Sequence, residues 1–392
     1  MTHAPSGPLS GLLVADFSRI LAGPYATMLM ADLGADVIKV EAPDGDDTRT
    51  WVPPTRDGVS TYYLSINRNK RSVALDLKDE DDLRLAHAIA RRADVMIENF
   101  RPGGLAKYTL DYDSVAADNT AVVYASISGF GAGGGAHLPG YDLLVQAMSG
   151  LMSLTGASDG PPYRAGISVF DVMTGMHALI GVLAALRERE RSGRGQHVEV
   201  NLLSSALSGL VNQTGAYAAG GVVPHRMGNS HPSLFPYEPL PTADGDIIVI
   251  AGNDRQFGAL CTALGVPALA EDPRFRTVGD RTANRETLRP LLEKQLAQRT
   301  KAEWFDTLVA AGVPAGPINS IAEGVEFATG LGLEPLVDVG TAGAEGSGPV
   351  PLVRNPIRFS RSGHRYDLAP PAIGEQSDEI KAEVRAWLGE TR

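Results

Sequence analysis

The stretch that decides the fold is "LLVADFSRILAGPYATMLMADLGADVIKVE", residues 12–41. Residues 12–20 form an apolar run that ends in polar residues, which predicts a strand followed by a turn. Residues 23–35 predict a helix with Pro24 in its first turn, and residues 36–41 predict the next strand. A strand, a helix and a second strand at this spacing favour parallel pairing and a Rossmann-like α/β fold.

The alternation of strands and helices continues to about residue 130. Further strands are predicted at residues 72–78, 94–100 and 121–130. The segment 80–92 predicts an amphipathic helix, with acidic residues first and arginines last, as the helix dipole favours. The first part of the chain therefore predicts a mainly parallel α/β domain.

The pattern beyond Tyr141 predicts helices, and the Gly- and Pro-rich stretch 220–245 is the best candidate for a domain boundary. A strand and several helices follow it, which predicts a second, smaller α/β region. We therefore expect a large Rossmann-like domain over residues 1–220 that residues 330–392 complete, a small domain over 225–325, and a return of 326–392 onto the large domain.

The composition of the chain indicates its cellular location and disfavours some classes of binding partner. The chain has 392 residues and a formal net charge of −11, which argues against electrostatic binding of nucleic acid. The single cysteine, Cys261, excludes an intrachain disulfide. The N-terminal residues lack the features of a signal peptide, and no apolar run approaches the length of a membrane span; the longest candidate, 179–193, becomes strongly charged. We expect a cytoplasmic protein that binds neither membrane nor nucleic acid.

A glycine-rich run, "GFGAGG" at residues 129–134, matches the pattern G-x-G-x-x-G. In dinucleotide-binding folds a helix must begin directly after this run, so that its N-terminus meets the pyrophosphate. Here more glycines and Pro139 follow instead, which predicts a loop and no NAD site. The sequence also contains no phosphate-binding loop motif and no Cys/His cluster, so we predict no metal site.

Two basic segments follow predicted strands. Arg68, Lys70 and Arg71 form one cluster, and Arg101 and Lys107 belong to the other. A solvated turn explains such residues as well as a ligand site does, although the acidic net charge favours an anionic ligand. Because ligands bind at the carboxyl ends of parallel strands, the two segments predict a site for a phosphorylated, nucleotide-like group.

Asp171 lies in "AGISVFDVMTGMHA", residues 165–178, between a strand-like run and a long predicted helix. Aspartate is a favoured N-cap, so a capping role explains it. A carboxylate at a helix start is also kept ionised by the dipole and is able to act as a covalent nucleophile. Its position in the sequence does not separate these two interpretations.

Six separated blocks, in order, resemble the class III (CaiB/BaiF-type) CoA-transferases. They are residues 16–41, 69–78, 94–103, 140–156, 170–200 and 226–237. The resemblance runs from about residue 8 to the end of the chain. It implies an α/β chain with a Rossmann-like large domain and a smaller α/β domain, and two such chains interlocked as a homodimer.

The resemblance implies that Asp171 is the nucleophile. It would attack an acyl-CoA donor to give an aspartyl–acyl anhydride, and the CoA thiolate would return to form an aspartyl–CoA thioester. A carboxylic acid acceptor would then take the CoA through a second anhydride. The implied substrates are acyl-CoA and a carboxylic acid, with coenzyme A as the group transferred and no metal or NAD.

The resemblance also implies which residues bind substrate. CoA contacts are expected at Leu21, Ala22, Leu75, Lys78, Asn99, Phe100, Arg101, Lys107, Pro139, Tyr141 and Asp142. Lys107 is expected at the CoA phosphates, whereas Arg68 and Arg71 are left as ordinary residues. The acyl pocket is expected to include Tyr62, Tyr141 and Asn229, although both tyrosines are also explained by packing.

The sequence departs from the family pattern in two places, one that affects CoA binding and one that affects the choice of acid. Ala42 stands where relatives carry an arginine, so another residue must supply that contact with CoA. The segment 226–233 replaces the multi-glycine lid of oxalate-specific members, which argues against oxalate and formyl substrates. A small dicarboxylate pair with succinyl-CoA as donor is our expectation, with Arg164 as a candidate cation near the site.

Two other functions remain as alternatives. The α-methylacyl-CoA racemases share the fold, but they carry a histidine base at the position of Tyr141, and a tyrosine is too weak a base near neutral pH. A non-catalytic acyl-CoA-binding protein is the second alternative. The sequence therefore favours a CoA-transferase over both.

Overall fold

Residues 7–340 and 349–390 are described by the structure, which is a computed structural model. The strands are β1 Leu13–Asp16, β2 Asp36–Glu41, β3 Thr55–Arg56, β4 Val59–Ser60, β5 Lys70–Ala74, β6 Val95–Glu98, β7 Val123–Ser128, β8 Gln196–Asn201, β9 Tyr237–Thr242, β10 Gly245–Ile250, β11 Ala315–Pro317, β12 Leu336–Val339 and β13 Val350–Val353. The α-helices are α1 Ala22–Asp32, α2 Thr61–Ile66, α3 Glu80–Arg92, α4 Tyr112–Asp118, α5 Asp142–Met148, α6 Leu151–Leu154, α7 Val169–Ser192, α8 Leu202–Gly209, α9 Val211–Gly220, α10 Asp254–Ala263, α11 Val278–Ala283, α12 Arg285–Leu296, α13 Lys301–Ala310, α14 Ile321–Gly330 and α15 Ser377–Trp387.

The main sheet has six strands in the order β5-β2-β1-β6-β7-β8, and every neighbouring pair is parallel. Counted along the chain, this is the Rossmann order 3-2-1-4-5-6, in which the direction of strand addition reverses between β1 and β6. The predicted α/β class with a parallel sheet is confirmed. The opening stretch supplies the neighbouring strands β1 and β2 of this sheet and the helix α1 that connects them.

Both faces of the main sheet are buried, because successive strand residues point to opposite sides. Val14 of β1 lies in a core that also contains Met30 of α1 and Val182 of α7. The next residue, Ala15, lies in the opposite core. There it is joined by Ile89 of α3 and Ile380 of α15, so the C-terminal helix packs on the main sheet.

The chain divides into two compact units. Unit 1 contains the described residues up to Leu151, then Ala165–Val222, and those from Leu333 onward; unit 2 contains Met152–Arg164 and Val223–Gly332. We predicted a small domain over residues 225–325 and kept 152–164 in the large domain, whereas residues 152–164 belong to unit 2.

Unit 2 contains a three-stranded antiparallel sheet in the order β11-β10-β9. Its strands and helices bury a separate hydrophobic core that includes Phe235, Leu260 and Trp304. The cysteine of the chain, Cys261, is buried in this core. Unit 2 therefore has a core of its own, as a domain does.

Helix α7, Val169–Ser192, is long and apolar enough to cross a membrane by length and composition alone. From the sequence we predicted no such run, because the longest apolar candidate, 179–193, becomes strongly charged. Phe170, Ala178 and Val182 of α7 are buried in the core of unit 1. A core helix passes the same test of length and composition, so this feature is weak support for a membrane span.

The cationic cluster at residues 68–71 is part of the core rather than a ligand site. The Arg68 guanidinium donates to both oxygens of Asp32, at 2.8 and 2.6 Å. Lys70 Nζ donates to Asp16 at 3.0 Å, and Arg71 donates to both oxygens of Asp36. These ion pairs correct the interpretation of this segment as an anion-binding loop.

Candidate active site

The Rossmann strand order fixes where a ligand crevice opens. Ligands of open parallel sheets bind outside the carboxyl ends of the strands, at the point where the strand order reverses. In this sheet that point lies between β1 and β6. The turn after β1 leads to Leu21 and Ala22, and the turn after β6 carries Asn99, Phe100 and Arg101. Five residues predicted for CoA therefore belong to the two segments that border the crevice.

Asp171 lies inside a helix, not in front of one. Helix α7 begins at Val169, so Ser168 is the N-cap and Asp171 is the third helical residue. The strand-like run predicted before Asp171 is wrong in part, because Val169 and Phe170 form the first helical turn. The capping interpretation of Asp171 is also wrong. The side chain of Ser168 makes no capping hydrogen bond either.

Asp142 satisfies the start of α7 from a different helix. It is the first residue of α5, it is buried, and its Oδ1 accepts the backbone N–H groups of Phe170 at 2.8 Å and Asp171 at 3.2 Å. Its Oδ2 accepts a hydrogen bond from Gln146. The start of a helix leaves N–H groups unpaired, and an acceptor that satisfies them fixes the first turn. Asp142 therefore holds the backbone that carries Asp171.

The acidity of Asp171 is strongly changed by its surroundings. Burial, and then the negative charge of Asp142, raise the pKa of Asp171 from 3.8 to about 7. This result opposes our expectation that the helix start keeps Asp171 ionised. A carboxylate whose ionised form is disfavoured is a stronger base and a better nucleophile once it has lost its proton.

The Asp171 cavity is a space of about 80 Å³ at the carboxyl edge of the sheet. Its walls include Ala22 of α1, the turn Asn99–Arg101 and Ser128 at the end of β7. Gly175, one turn after Asp171, lets α1 and α7 approach closely. A Cβ at this position would lie 2.5 Å from the carbonyl oxygen of Ala22. The close approach places the start of α1 beside the start of α7.

A larger cavity of about 320 Å³, the β1–β2–β5 cavity, lies at the carboxyl ends of those strands. Leu75 and Lys78, both predicted to contact CoA, line it together with Phe100. Phe100 also lines the Asp171 cavity, so it borders both spaces. Arg19 is an additional cation in this lining that was not among the predicted site residues, although it lies in the turn after the first strand.

Tyr62 is close to the start of α7. Its hydroxyl is within hydrogen-bonding reach of Ser168, and burial first, with smaller effects from Asp171 and other carboxylates, raises its pKa. Trp51 packs edge-on against it, with ring centroids 5.0 Å apart. Trp51 was not among the predicted site residues; the signal available in the sequence was an aromatic residue shortly before Pro53 and Pro54. The two rings form an aromatic wall beside the Asp171-bearing turn.

Other predicted site residues lie outside these cavities. The Lys107 ammonium lies 4.6 Å from the ring centroid of Tyr108 and lines neither cavity. Pro139 and Tyr141 are exposed, Tyr141 at 60%, while their neighbours Leu138 and Gly140 line the Asp171 cavity. Asn229 and Arg164 belong to unit 2. Among the described residues, no group of three His, Cys, Asp or Glu side chains is placed to hold a metal ion.

The main sheet has a crevice at its carboxyl edge, and the Asp171 carboxylate of helix α7 lines a cavity there. The profile of CoA-transferase family III matches residues 9–377. The chain belongs to this family, which confirms the resemblance to CaiB/BaiF-type proteins, and it is a class III CoA-transferase.

Similar proteins agree with this assignment. A succinate–glutarate CoA-transferase from Agrobacterium fabrum is 43% identical, over 98% of both chains. An acetyl-CoA:oxalate CoA-transferase from Acetobacter aceti is 40% identical, over 97% of both chains. The crystal structure of a CaiB/BaiF family protein from Brucella suis is 42% identical and superposes with a TM-score of 0.85, over 97% of this chain and 100% of that one.

Proposed function

We propose that this enzyme transfers CoA from an acyl-CoA to a carboxylic acid through covalent intermediates on Asp171. The observation that carries the proposal is the placement of the Asp171 carboxylate. It lines a cavity at the β1/β6 crevice, and Asp142 fixes the helical turn that bears it. A carboxylate in such a position can act as a nucleophile toward a thioester.

The reaction balances as two acyl exchanges at one carboxylate. An oxygen of ionised Asp171 attacks the thioester carbonyl, and the C–S bond breaks to give an aspartyl–acyl anhydride and CoA thiolate. The thiolate attacks the Asp171 carbonyl carbon and releases the donor acid, which leaves an aspartyl–CoA thioester. The acceptor carboxylate then attacks the aspartyl–CoA thioester, which releases CoA thiolate and gives a second anhydride. The thiolate attacks the acceptor acyl carbon of this anhydride, which forms the new acyl-CoA and regenerates Asp171. No net proton is consumed.

The two cavities suggest how CoA lies along the sheet edge. We place its adenosine end in the β1–β2–β5 cavity, where Leu75 supplies apolar surface and Lys78 supplies positive charge. The pantetheine arm would pass Phe100, which borders both cavities, and reach Asp171. Arg101 is exposed at the rim and is available to a phosphate group. Arg19 substitutes for the arginine that relatives carry at the position of Ala42, because both residues line this cavity.

We propose small dicarboxylates as the acids, with succinyl-CoA as the donor. The names of the Agrobacterium and mouse relatives, succinate–glutarate and succinyl-CoA:glutarate CoA-transferase, support this choice. The Acetobacter relative is named for oxalate, so oxalate belongs among the acceptors to be tested. Tyr62 and Trp51 form one wall of the proposed acyl pocket.

We propose a homodimer on the basis of an exposed apolar stripe. Met176, Ile180 and Leu183 recur at helical spacing along α7, and all three are exposed. Val211 and Tyr217 of α9 are also exposed. Contiguous exposed apolar surface of this kind marks an interaction site, and a second copy of the chain would cover it. The interlocked arrangement and the cytoplasmic location remain predictions.

The test is a transfer assay with succinyl-CoA and a panel of acids that includes glutarate and oxalate. The wild type should form the new acyl-CoA, and Asp171→Ala should abolish this transfer. Full activity of Asp171→Ala would contradict the proposal. Deuterium exchange at the acyl α-carbon without transfer would indicate a racemase, and CoA binding without either reaction would indicate a binding protein.

A further inference from the structure

The turn between β1 and α1 contains a strained residue. Ile20 has φ +67°, in the left-handed region. A β-branched side chain rarely adopts this conformation, because its Cβ crowds the backbone. Such a residue persists only where its surroundings fix it, and strain of this kind concentrates at functional sites. The turn leads directly to Ala22, which lines the Asp171 cavity.

Asn99 holds the residue before Ile20 by two hydrogen bonds. The backbone N–H of Arg19 donates to Asn99 Oδ1 at 2.8 Å, and Asn99 Nδ2 donates to the Arg19 carbonyl at 2.7 Å. The side-chain amide thus pairs with both backbone groups of one residue. It joins the turn after β6 to the turn after β1 across the crevice.

A second support comes from the strand β2 side. The Ile20 N–H donates to Asp46, with its nearer oxygen at 3.2 Å. Lys39 Nζ donates to the Ser18 carbonyl at 3.2 Å and to Asp46 at 2.9 Å. Lys39 and Asp46 are both buried, so they form a rigid ion pair beneath the turn. Three consecutive residues, Ser18 to Ile20, are therefore held by side chains from other segments.

We infer that Asn99 is a positioning residue for the proposed transfer reaction. Its two hydrogen bonds keep the strained turn closed, so that Ala22 and the start of α1 remain against the Asp171 cavity. This inference rests on the proposed function. It replaces the expected direct contact between the Asn99 side chain and CoA with an indirect role through Arg19.

Asn99 is the informative position to change. Removal of Asp46 would leave Lys39 buried without its partner, and the loss of a buried ion-pair partner is strongly destabilising. Asn99 is half-buried, and its bonds are at an exposed edge, so Asn99→Ala should remain folded. Ile20 lines neither cavity, and glycine adopts a positive φ without steric cost.

The experiment is a double-mutant cycle of Asn99→Ala and Ile20→Gly with kcat, KM for succinyl-CoA and thermal unfolding as readouts. Loss of two neutral hydrogen bonds should lower kcat about tenfold when Ile20 is retained. In the Ile20→Gly background the positive φ at residue 20 carries no steric strain, so the turn needs less support from Asn99. Asn99→Ala should therefore lower kcat only about twofold there. A purely structural role would lower the unfolding temperature and leave kcat of the folded fraction unchanged.

An equal fall in kcat in both backgrounds, or a rise in KM alone, would overturn the inference and restore a direct contact with CoA. If Asn99→Ala does not fold, Asn99→Asp replaces it in the same cycle. That variant keeps the acceptor for Arg19 N–H and loses the donor, so the same dependence on Ile20 is expected. The comparison of CoA transfer by the wild type and by Asp171→Ala tests the proposed function separately. Its result does not depend on the outcome of the Asn99 experiment.

Discussion

The Asp142 carboxylate accepts the backbone N–H of Asp171 at 3.2 Å, from a position 29 residues earlier in the chain. The same oxygen accepts the N–H of Phe170 at 2.8 Å. The charge of Asp142 also contributes, after burial, to the raised pKa of Asp171. One acidic residue therefore fixes the position of the other and increases its basicity.

The pH dependence of the reaction should report the ionisation of Asp171. Its pKa is raised to about 7, and only the ionised carboxylate is a nucleophile. We expect kcat/KM to rise about tenfold per pH unit below 7 and to level off above it. Steady-state rates between pH 5.5 and 8.5 measure this profile. A flat profile over that range would mean that Asp171 is ionised throughout.

Substitution of Asp142 should separate its two roles. Asp142→Asn keeps an oxygen that accepts the N–H groups of Phe170 and Asp171, but it removes the charge. We expect the midpoint of the pH profile to move to lower pH. The matched variant Asp142→Ala also loses the capping hydrogen bonds, so its free energy of unfolding should fall by about 1 kcal/mol. Its activity should fall at every pH. Identical pH midpoints in Asp142→Asn and the wild type would argue against the electrostatic role.

The raised pKa of Asp171 has a cost in stability above neutral pH. The folded state holds the proton up to about pH 7, whereas the unfolded chain releases it near 3.8, so folding stability falls as pH rises between these values. Asp171→Asn removes this penalty. At pH 8 we expect it to be more stable than the wild type by about 1–4 kcal/mol, and the difference should shrink toward pH 4. Urea unfolding at the two pH values tests the sign.

The ion pair between Arg68 and Asp32 should be structural. Asp32 is fully buried and accepts two bonds from Arg68 and one from Asn69. Arg68→Ala leaves this carboxylate without its cation, which should cost about 3–5 kcal/mol. Among folded molecules the KM for acyl-CoA should be unchanged. A specific rise in KM without loss of stability would restore the ligand-binding interpretation.

Arg91→Ala is the matched control for Arg68→Ala. Arg91 pairs with Asp118 at 2.7 Å, but both side chains are about half exposed, at 55% and 51%. An exposed pair of this kind contributes less than about 1 kcal/mol. Thermal or denaturant unfolding of the two variants should therefore differ clearly, although each substitution removes one arginine.

The sequence predicted the fold well because the opening stretch carries strong periodic signals. β1, α1 and β2 follow the predicted strand, helix and strand, and their parallel pairing places the crevice. The same reasoning failed at Val169 and Phe170, because short runs of apolar residues do not distinguish a strand from the start of a buried helix. Tertiary contacts decided that conformation.

Contacts distant in sequence explain what the pattern did not predict about the site. Asp142 was expected to touch CoA, and nothing in the sequence indicated that it would accept N–H groups from residues 170 and 171. Arg68, Lys70 and Arg71 have the composition of a ligand loop, but their partners are acidic residues that are distant in sequence, from β1, α1, β2 and α15. Charge clusters show their function only when the opposing charges are located.

The measurement that tests the central claim most directly is trapping of the covalent intermediate. The wild type and Asp171→Asn are incubated with succinyl-CoA and hydroxylamine, digested and analysed by mass spectrometry. Hydroxylamine attacks the aspartyl–CoA thioester and releases CoA, so the account predicts a hydroxamate on Asp171 of the wild type and none in the variant. Transfer of CoA by the wild type with Asp171 left unmodified, or equal modification elsewhere in the variant, would contradict it.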